Sequence, residues 1–158
     1  MAVSASEQAG HTLRVKAPRI AAAAVESLYR LRPDLEARYG EAGRRHCVKD
    51  LGHHLRFLAA AVELEDGNVF SDYAAWAAGV MVAHNVAPED TVASFRALLD
   101  VAPAVVAPES EPLVRKITSA AVERVEAWRK TRSVAPRSHR PRLSPAAPLT
   151  AGSTAARS

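Results

Sequence analysis

The residues that could do chemistry in this sequence are concentrated between positions 44 and 58. That stretch holds the only cysteine, Cys47, together with Asp50 and three of the six histidines, His46, His53 and His54. Cys47, Asp50 and His54 are spaced at i, i+3 and i+7, which would place them near one face of a helix. A thiolate is a nucleophile, and a carboxylate one turn away can accept hydrogen bonds from a ligand. The stretch therefore predicts either a small-molecule site or an ordinary helix-packing surface.

The same cluster has a second interpretation as a metal site. Nitrogen and oxygen ligands suit zinc, and a cysteine can add sulfur. The residues with helical spacing for such a site are His46, Asp50 and either His53 or His54, with Cys47 beside them. Packing offers a simpler explanation, because a free cysteine often behaves as a small buried hydrophobe.

No catalytic motif accompanies the cluster. The sequence has no glycine-rich phosphate loop and no HExxH, CxxC or GxSxG pattern, and its acids form no evident catalytic pair. Asp90 and His84 are interpreted as charges that complement helix ends. We therefore expect a binding or sensing protein and not an enzyme.

Hydrophobic spacing predicts that helices position the cluster. Apolar side chains recur at three- and four-residue steps, the period of a helix with one buried face, at Val48, Leu51, Leu55, Leu58 and Val62. This central helix is predicted from about Glu41 to Glu65, with Gly40 and Gly43 interrupting the chain before it. Four further helices are predicted over about residues 18–31, 69–84, 89–101 and 111–130.

Composition supports an all-α domain between two disordered ends. Apolar residues make up 48% of the chain and aromatic residues only 5%, with alanine, the best helix former, prominent. Residues 1–15 and 131–158 are predicted to be disordered, and residues 16–130 to form the domain. The last segment has five arginines and no acid, which leaves 16 basic and 17 acidic residues elsewhere. The net charge of +4 therefore belongs to the tail and predicts no specific nucleic-acid binding.

Several features favour a soluble, cytoplasmic protein. A single cysteine cannot form an internal disulfide, and the N-terminus shows no secretory signal pattern. The longest apolar run, Ala74–Ala83, is ten residues long, whereas a membrane-spanning helix needs about 20.

The central stretch resembles the chromophore helix of phycobiliproteins. That helix carries a cysteine, an aliphatic residue, a basic residue and an aspartate, then two tyrosines, Leu-Arg and an aromatic residue. Here the order is Cys47-Val48-Lys49-Asp50, followed by His53-His54-Leu55-Arg56-Phe57. The resemblance continues upstream in Ile20–Tyr29 and covers about residues 18–130. It implies a partial globin-like, phycobiliprotein-like domain of about five helices, similar also to a non-haem globin domain found beside cobalamin-binding domains in proposed bacterial photosensors.

The resemblance also implies a ligand and the residues that bind it. Cys47 matches the cysteine that attaches an open-chain tetrapyrrole, or bilin, through a thioether. Asp50 matches the aspartate that hydrogen-bonds the pyrrole nitrogens, and Lys49 matches a basic residue near the propionates. His53 and His54, in the places of the two tyrosines, would line the site.

The basic residues beside Cys47 suggest how its thiol would react. Arg44, Arg45 and Lys49 lie within three positions of it. Positive charge close to a thiol favours the thiolate, the reactive form. We therefore expect a lowered pKa for Cys47.

The resulting hypothesis is a sensory or signalling module that changes its association with itself or with a partner protein. About forty-six residues precede Cys47, so the chain would lack the N-terminal helices of the fold. The faces left uncovered predict a homo-oligomer or a partner. One alternative is a cofactor-free interaction or dimerisation domain that retains only the fold. Another is a metal- or haem-binding regulator, although no single histidine is set apart as a proximal haem ligand.

Overall fold

The computed structural model describes residues 2–134 of the chain. These residues form six α-helices and no strand, which confirms the predicted all-α fold. The helices are α1 (Ala5–Val15), α2 (Ala17–Leu31), α3 (Asp34–Glu63), α4 (Gly67–Ala83), α5 (Pro88–Val101) and α6 (Glu111–Val134), with a short 3-10 turn at Ala102–Val105. The predicted tail at 131–158 starts too early, because α6 continues to Val134, and the rest of it lies outside the described residues.

The N-terminal segment is helical, so the prediction of disorder over residues 1–15 is wrong. The Ser4 hydroxyl accepts a hydrogen bond from the Glu7 backbone N–H at 3.1 Å, and the Glu7 carboxylate accepts one from the Ser4 N–H at 2.8 Å. This reciprocal pair is a capping box, which fixes the start of α1. Leu13 is fully buried, and Gly10 lies so close to α3 that a Cβ atom there would collide with the Glu63 side chain. Helix α1 therefore covers a surface of α3 for which the sequence had predicted no covering helix.

The central helix α3 confirms the predicted helix and extends it toward the N-terminus. Four of the five residues of its predicted apolar face, Leu51, Leu55, Leu58 and Val62, are each 0% exposed, and Val48 is half-buried. Gly40 has φ 63° and ψ −166°, a left-handed backbone geometry that favours glycine, and it breaks the helical path as predicted. Gly43 does not break it.

The remaining helices pack around this axis. α2 lies against α3 and α5, while α6 lies against α4 and α5. Phe70 of α4 and Phe95 of α5 fill the centre, each 0% exposed. None of the helices within residues 2–134 is long and apolar enough to cross a membrane. The arrangement leaves a space where α3 passes the ends of α2, α4 and α5.

Candidate functional site

That space is a cavity of about 770 Å³. Four of the five residues predicted for the site line it: Cys47, Lys49, Asp50 and His53. They come from two adjacent turns of α3, and Lys49 and His53 are exposed. The other lining residues come from α2, the first part of α3, the C-terminal end of α4 with the loop after it, and α5.

His54 does not line the cavity, so its predicted place in the site is wrong. Its side chain is 3% exposed and points into the core. Nδ1 lies 2.8 Å from the hydroxyl of Tyr73, and the ring stacks on Phe95 with centroids 4.5 Å apart. Burial, followed by the nearby charge of His53, lowers the pKa of His54 to about 3. Adjacent positions on a helix point about 100° apart. The exposed His53 and the buried, neutral His54 can therefore follow each other directly in the sequence.

Cys47 faces the cavity as a protonated thiol. Burial, and then the charge of Asp50, raise its pKa to about 12. The expected activation by neighbouring cations is therefore wrong. The Arg44 guanidinium lies over the ring of Tyr29, 4.4 Å from its centroid, and pairs with Glu36 at 3.1 Å.

Asp50 supplies a half-buried carboxylate to the cavity. Burial raises its pKa, opposed by the charges of His53, His46, Lys49 and His84. Its side chain makes no hydrogen bond or ion pair within residues 2–134. Its oxygens are therefore available to a donor that enters the cavity.

His84 contributes to the site from a different helix. It follows the last residue of α4 and lines the cavity, close enough to lower the pKa of Asp50. The sequence suggested only a charge at a helix end. Its position relative to α3 depends on how the two helices pack, and no spacing along the chain shows that.

Asp90 also lines the cavity, although the sequence suggested for it only a charge at the start of a helix. Asp90, 5% exposed, accepts from the Arg32 guanidinium at 2.6 Å and from that of Arg38 at 2.8 Å. The Tyr39 hydroxyl donates to it at 2.6 Å and accepts from the Ala87 N–H at 3.1 Å. Burial alone would raise the pKa of Asp90, but the Arg38 and Tyr39 hydrogen bonds and the two guanidinium charges lower it. This network joins the segment before Gly40 to the start of α5.

The histidine cluster does not form a metal centre. Among residues 2–134, no three His, Cys, Asp or Glu side chains are arranged to hold a metal ion. His54, one of the predicted ligands, is bonded to Tyr73 instead. The metal-binding alternative therefore has no support from the geometry.

The site thus belongs to a globin-like, all-helical domain with a ligand-sized cavity beside its central helix. The family model described as "Phycobilisome protein" matches residues 4–126 of this chain. The chain therefore belongs to the phycobilisome protein family, which confirms the resemblance found in the sequence. The match begins at residue 4 and so includes α1. No curated protein sequence matches the chain significantly.

Proposed function

We propose that this protein is a non-enzymatic, cytoplasmic sensory module that binds a bilin in the cavity beside α3. Proteins of its family carry bilin chromophores. The observation that carries the proposal is that Cys47 and Asp50, which match the family's attachment and pyrrole-binding residues, line one cavity of about 770 Å³. The output of the module is a change in its association with itself or with a partner.

The residues of the cavity fit the chemistry of an open-chain tetrapyrrole. A bilin supplies pyrrole N–H donors and carboxylates together with a conjugated system that absorbs visible light. The unpartnered Asp50 carboxylate would accept from the N–H groups and stabilise their protonated form. Lys49, exposed at the rim, would face a propionate.

Covalent attachment is a separate, slower step in this proposal. The Cys47 sulfur would bond to one carbon of a carbon–carbon double bond of the ligand, and the thiol hydrogen would end on the ligand, so that no group leaves. Because the pKa of the thiol is raised to about 12, only a small fraction is thiolate at neutral pH. Binding would therefore precede attachment, with the bound ligand or an assisting protein supplying the activation.

The test is to produce the protein together with a bilin supply and to measure visible absorbance before and after denaturation in acid. We expect colour in the native protein. Colour that stays with the denatured polypeptide and is lost in Cys47→Ala would support attachment. Val48→Ala, a change at the neighbouring position outside the cavity lining, is the matched control. A native, fully helical protein that stays colourless would contradict the proposal.

A cofactor-free interaction domain is the second candidate function. The protonated Cys47 thiol, packed partly against the core, favours it because such a cysteine is also an ordinary structural residue. The same experiment separates the two candidates. In the second case the protein would bind no bilin, and Cys47→Ala would change only its stability.

Self-association is part of both candidates. Members of the family typically assemble into oligomers, and exposed apolar side chains such as Trp76 and Leu64 remain on the described surface. We expect the purified protein to form a homo-oligomer in size-exclusion chromatography with light scattering. A monomer at micromolar concentration, with or without ligand, would contradict this.

A further inference from the structure

Three exposed imidazoles lie around the Asp50 carboxylate in the cavity. His46 and His53 belong to α3, His84 follows the last residue of α4, and all three line the cavity. We call these three residues the cavity histidines. On α3, His46 lies one helical turn before Asp50 and His53 one turn after it. Each of the three, like Lys49, acts electrostatically on Asp50. Two helices therefore bring three titratable bases to one carboxylate.

The rings of the cavity histidines have no partner in the described part of the chain. None of them makes a hydrogen bond or an ion pair within residues 2–134. Asp50 and Asp90 are the acids that line the cavity. Asp90 is already paired with Arg32 and Arg38. Positive charge on all three rings would therefore exceed the negative charge that this cavity supplies.

The charge of the cavity histidines is the one that changes near neutral pH. An imidazole ordinarily takes up a proton between pH 5 and 8. The other titratable side chains that line the cavity come from α2, α3 and α5, and they are Tyr29, Tyr39, Cys47, Lys49, Asp50 and Asp90. Burial raises the pKa of Tyr29, Tyr39 and Cys47, so these three stay protonated. The pKa of Asp90 is lowered by its hydrogen bonds despite its burial, so it stays ionised.

The side chains behind the cavity histidines do not titrate in this range either. Burial lowers the pKa of His54 to about 3 and raises that of Tyr73 to about 12. Burial also raises the pKa of Asp50, and the charges of the cavity histidines and of Lys49 oppose that rise. Protonation of the histidines therefore favours ionised Asp50 and adds up to three positive charges. As the pH falls from 8 to 5.5, the cavity gains an excess of positive charge.

A ligand with two carboxylates matches this excess of charge. Hydrogen bonds in which both donor and acceptor are ionised are among the stronger ones in proteins. A bound carboxylate favours the protonated form of a neighbouring imidazole. By linkage, the protonated form of the protein then binds the carboxylate more tightly. The affinity for such a ligand should therefore increase as the pH falls.

We propose that the cavity is a pH-dependent site for a dicarboxylate ligand, in which His46, His53 and His84 take up protons from water as the ligand binds. For the identity of the ligand, a bilin with its two carboxylates, the proposal rests on the proposed function. It adds the regulation of that site: acidification increases binding, and a rise in pH releases the ligand. This proton uptake is independent of covalent attachment at Cys47.

The test compares biliverdin, which carries two carboxylates, with its dimethyl ester, which carries none. The Kd of each is measured by visible absorbance at pH 8 and pH 5.5, in a Cys47→Ala background so that binding stays reversible. Both ligands keep the pyrrole nitrogens, so any pH dependence that comes from the pyrroles or from Asp50 appears in both. Because each exposed ion pair contributes only modestly, we expect biliverdin to gain about tenfold more affinity than the ester between these pH values.

Substitutions assign the effect to the cavity histidines. The triple variant His46→Gln, His53→Gln, His84→Gln should reduce the pH dependence for biliverdin to that for the ester. The matched control is His11→Gln, at an exposed histidine of α1 outside the cavity lining, and it should keep the full dependence. Circular dichroism at both pH values checks that each variant keeps its helices.

The outcomes separate this proposal from the proposed function. If biliverdin binds but the triple variant keeps the pH dependence, or the ester shows an equal one, the pH-dependent site is overturned while the proposed function stands. A second probe, naphthalene-2,6-dicarboxylate, covers the case in which biliverdin binds at neither pH. Binding of this probe with a pH dependence that the triple variant removes would support the pH-dependent site and contradict the bilin. If neither probe binds at pH 5.5, both proposals are overturned.

Discussion

The carboxylates of Asp50 and Asp90 both lie on the wall of the cavity, but their surroundings are opposite in kind. Asp90 is 5% exposed and surrounded by Arg32, Arg38 and Tyr39 at hydrogen-bonding distance. Asp50 is half-buried, with no hydrogen bond or ion pair to its side chain in the described part of the chain. The pKa of Asp90 is lowered, although burial alone would raise it, and the pKa of Asp50 is raised by its burial.

The difference separates a structural group from one available to a ligand. A buried polar group left without a partner costs about 1–3 kcal/mol, so a fold normally satisfies it. Asp90 is satisfied completely, and the network it forms joins the segment before Gly40 to α5. Asp50 is left open toward a cavity, where a ligand's donors could complete it. Substitutions at the two positions should therefore change stability in opposite directions.

The largest expected effect is that of Asp90→Ala. Removing the carboxylate takes the shared acceptor from Arg32, Arg38 and Tyr39. Because hydrogen bonds to a charged group contribute about 1.5–3 kcal/mol, and because both guanidinium groups are partly solvated, we expect a loss of about 2–3 kcal/mol in the free energy of unfolding. Urea denaturation measures it.

The matched control is Asp34→Ala. Asp34 contacts the same two arginines, at 3.5 Å and 2.7 Å, but its side chain is 54% exposed. Exposed ion pairs contribute little, so the change should be close to experimental error. Equal losses in the two variants would mean that Asp90 is no more structural than a surface acid.

The next effect is an acid sensitivity that belongs to neither carboxylate. Burial lowers the pKa of His54 to about 3 in the folded state, against about 6.5 in an unfolded chain. The unfolded chain therefore takes up a proton first as the pH falls. The contribution of His54 to the free energy of unfolding is constant above about pH 6.5 and falls below that pH by up to about 1.4 kcal/mol per pH unit. The check is urea denaturation at pH 7.5 and pH 5.

Two variants test whether the fall of stability with pH comes from His54. His54→Phe should remove most of it, while His53→Ala, at the exposed neighbour, should retain it. Asp90 contributes no slope in this range, because its pKa is lowered from an ordinary value of 3.8. An unchanged slope in His54→Phe would show that another group takes up the proton.

Much of the fold could be predicted because it depends on local signals. The buried face of α3 repeats at helical spacing, and Pro88 marks the start of α5. The helix α1 was missed because its buried face consists of Ser6, Ala9, Gly10 and one leucine, which gives almost no apolar periodicity. The capping box at Ser4 and Glu7 was a signal that could have found it.

The site could be predicted along α3 but not across the fold. Spacing placed Cys47, Asp50 and His54 near one face, yet His54 points into the core, because the side of α3 that faces the cavity depends on where α4 and α5 pack. The expected activation of Cys47 failed for a related reason. Basic neighbours in sequence can turn toward other partners, as Arg44 does toward Tyr29 and Glu36.

The smallest expected effect is a gain in stability at Asp50. Asp50→Asn removes a half-buried charge that has no partner, so it should stabilise the free protein at pH 7 by less than about 1 kcal/mol, reduced by solvent screening. Because the folded pKa of Asp50 is raised above 3.8, its ionised form opposes folding only above that value. The gain should therefore vanish as the pH falls below about 4.

Asp90→Asn, with the same change of atoms, should destabilise the protein instead. Urea denaturation of both variants at pH 7 checks the signs, and a loss of stability in Asp50→Asn would mean that Asp50, like Asp90, is a structural group.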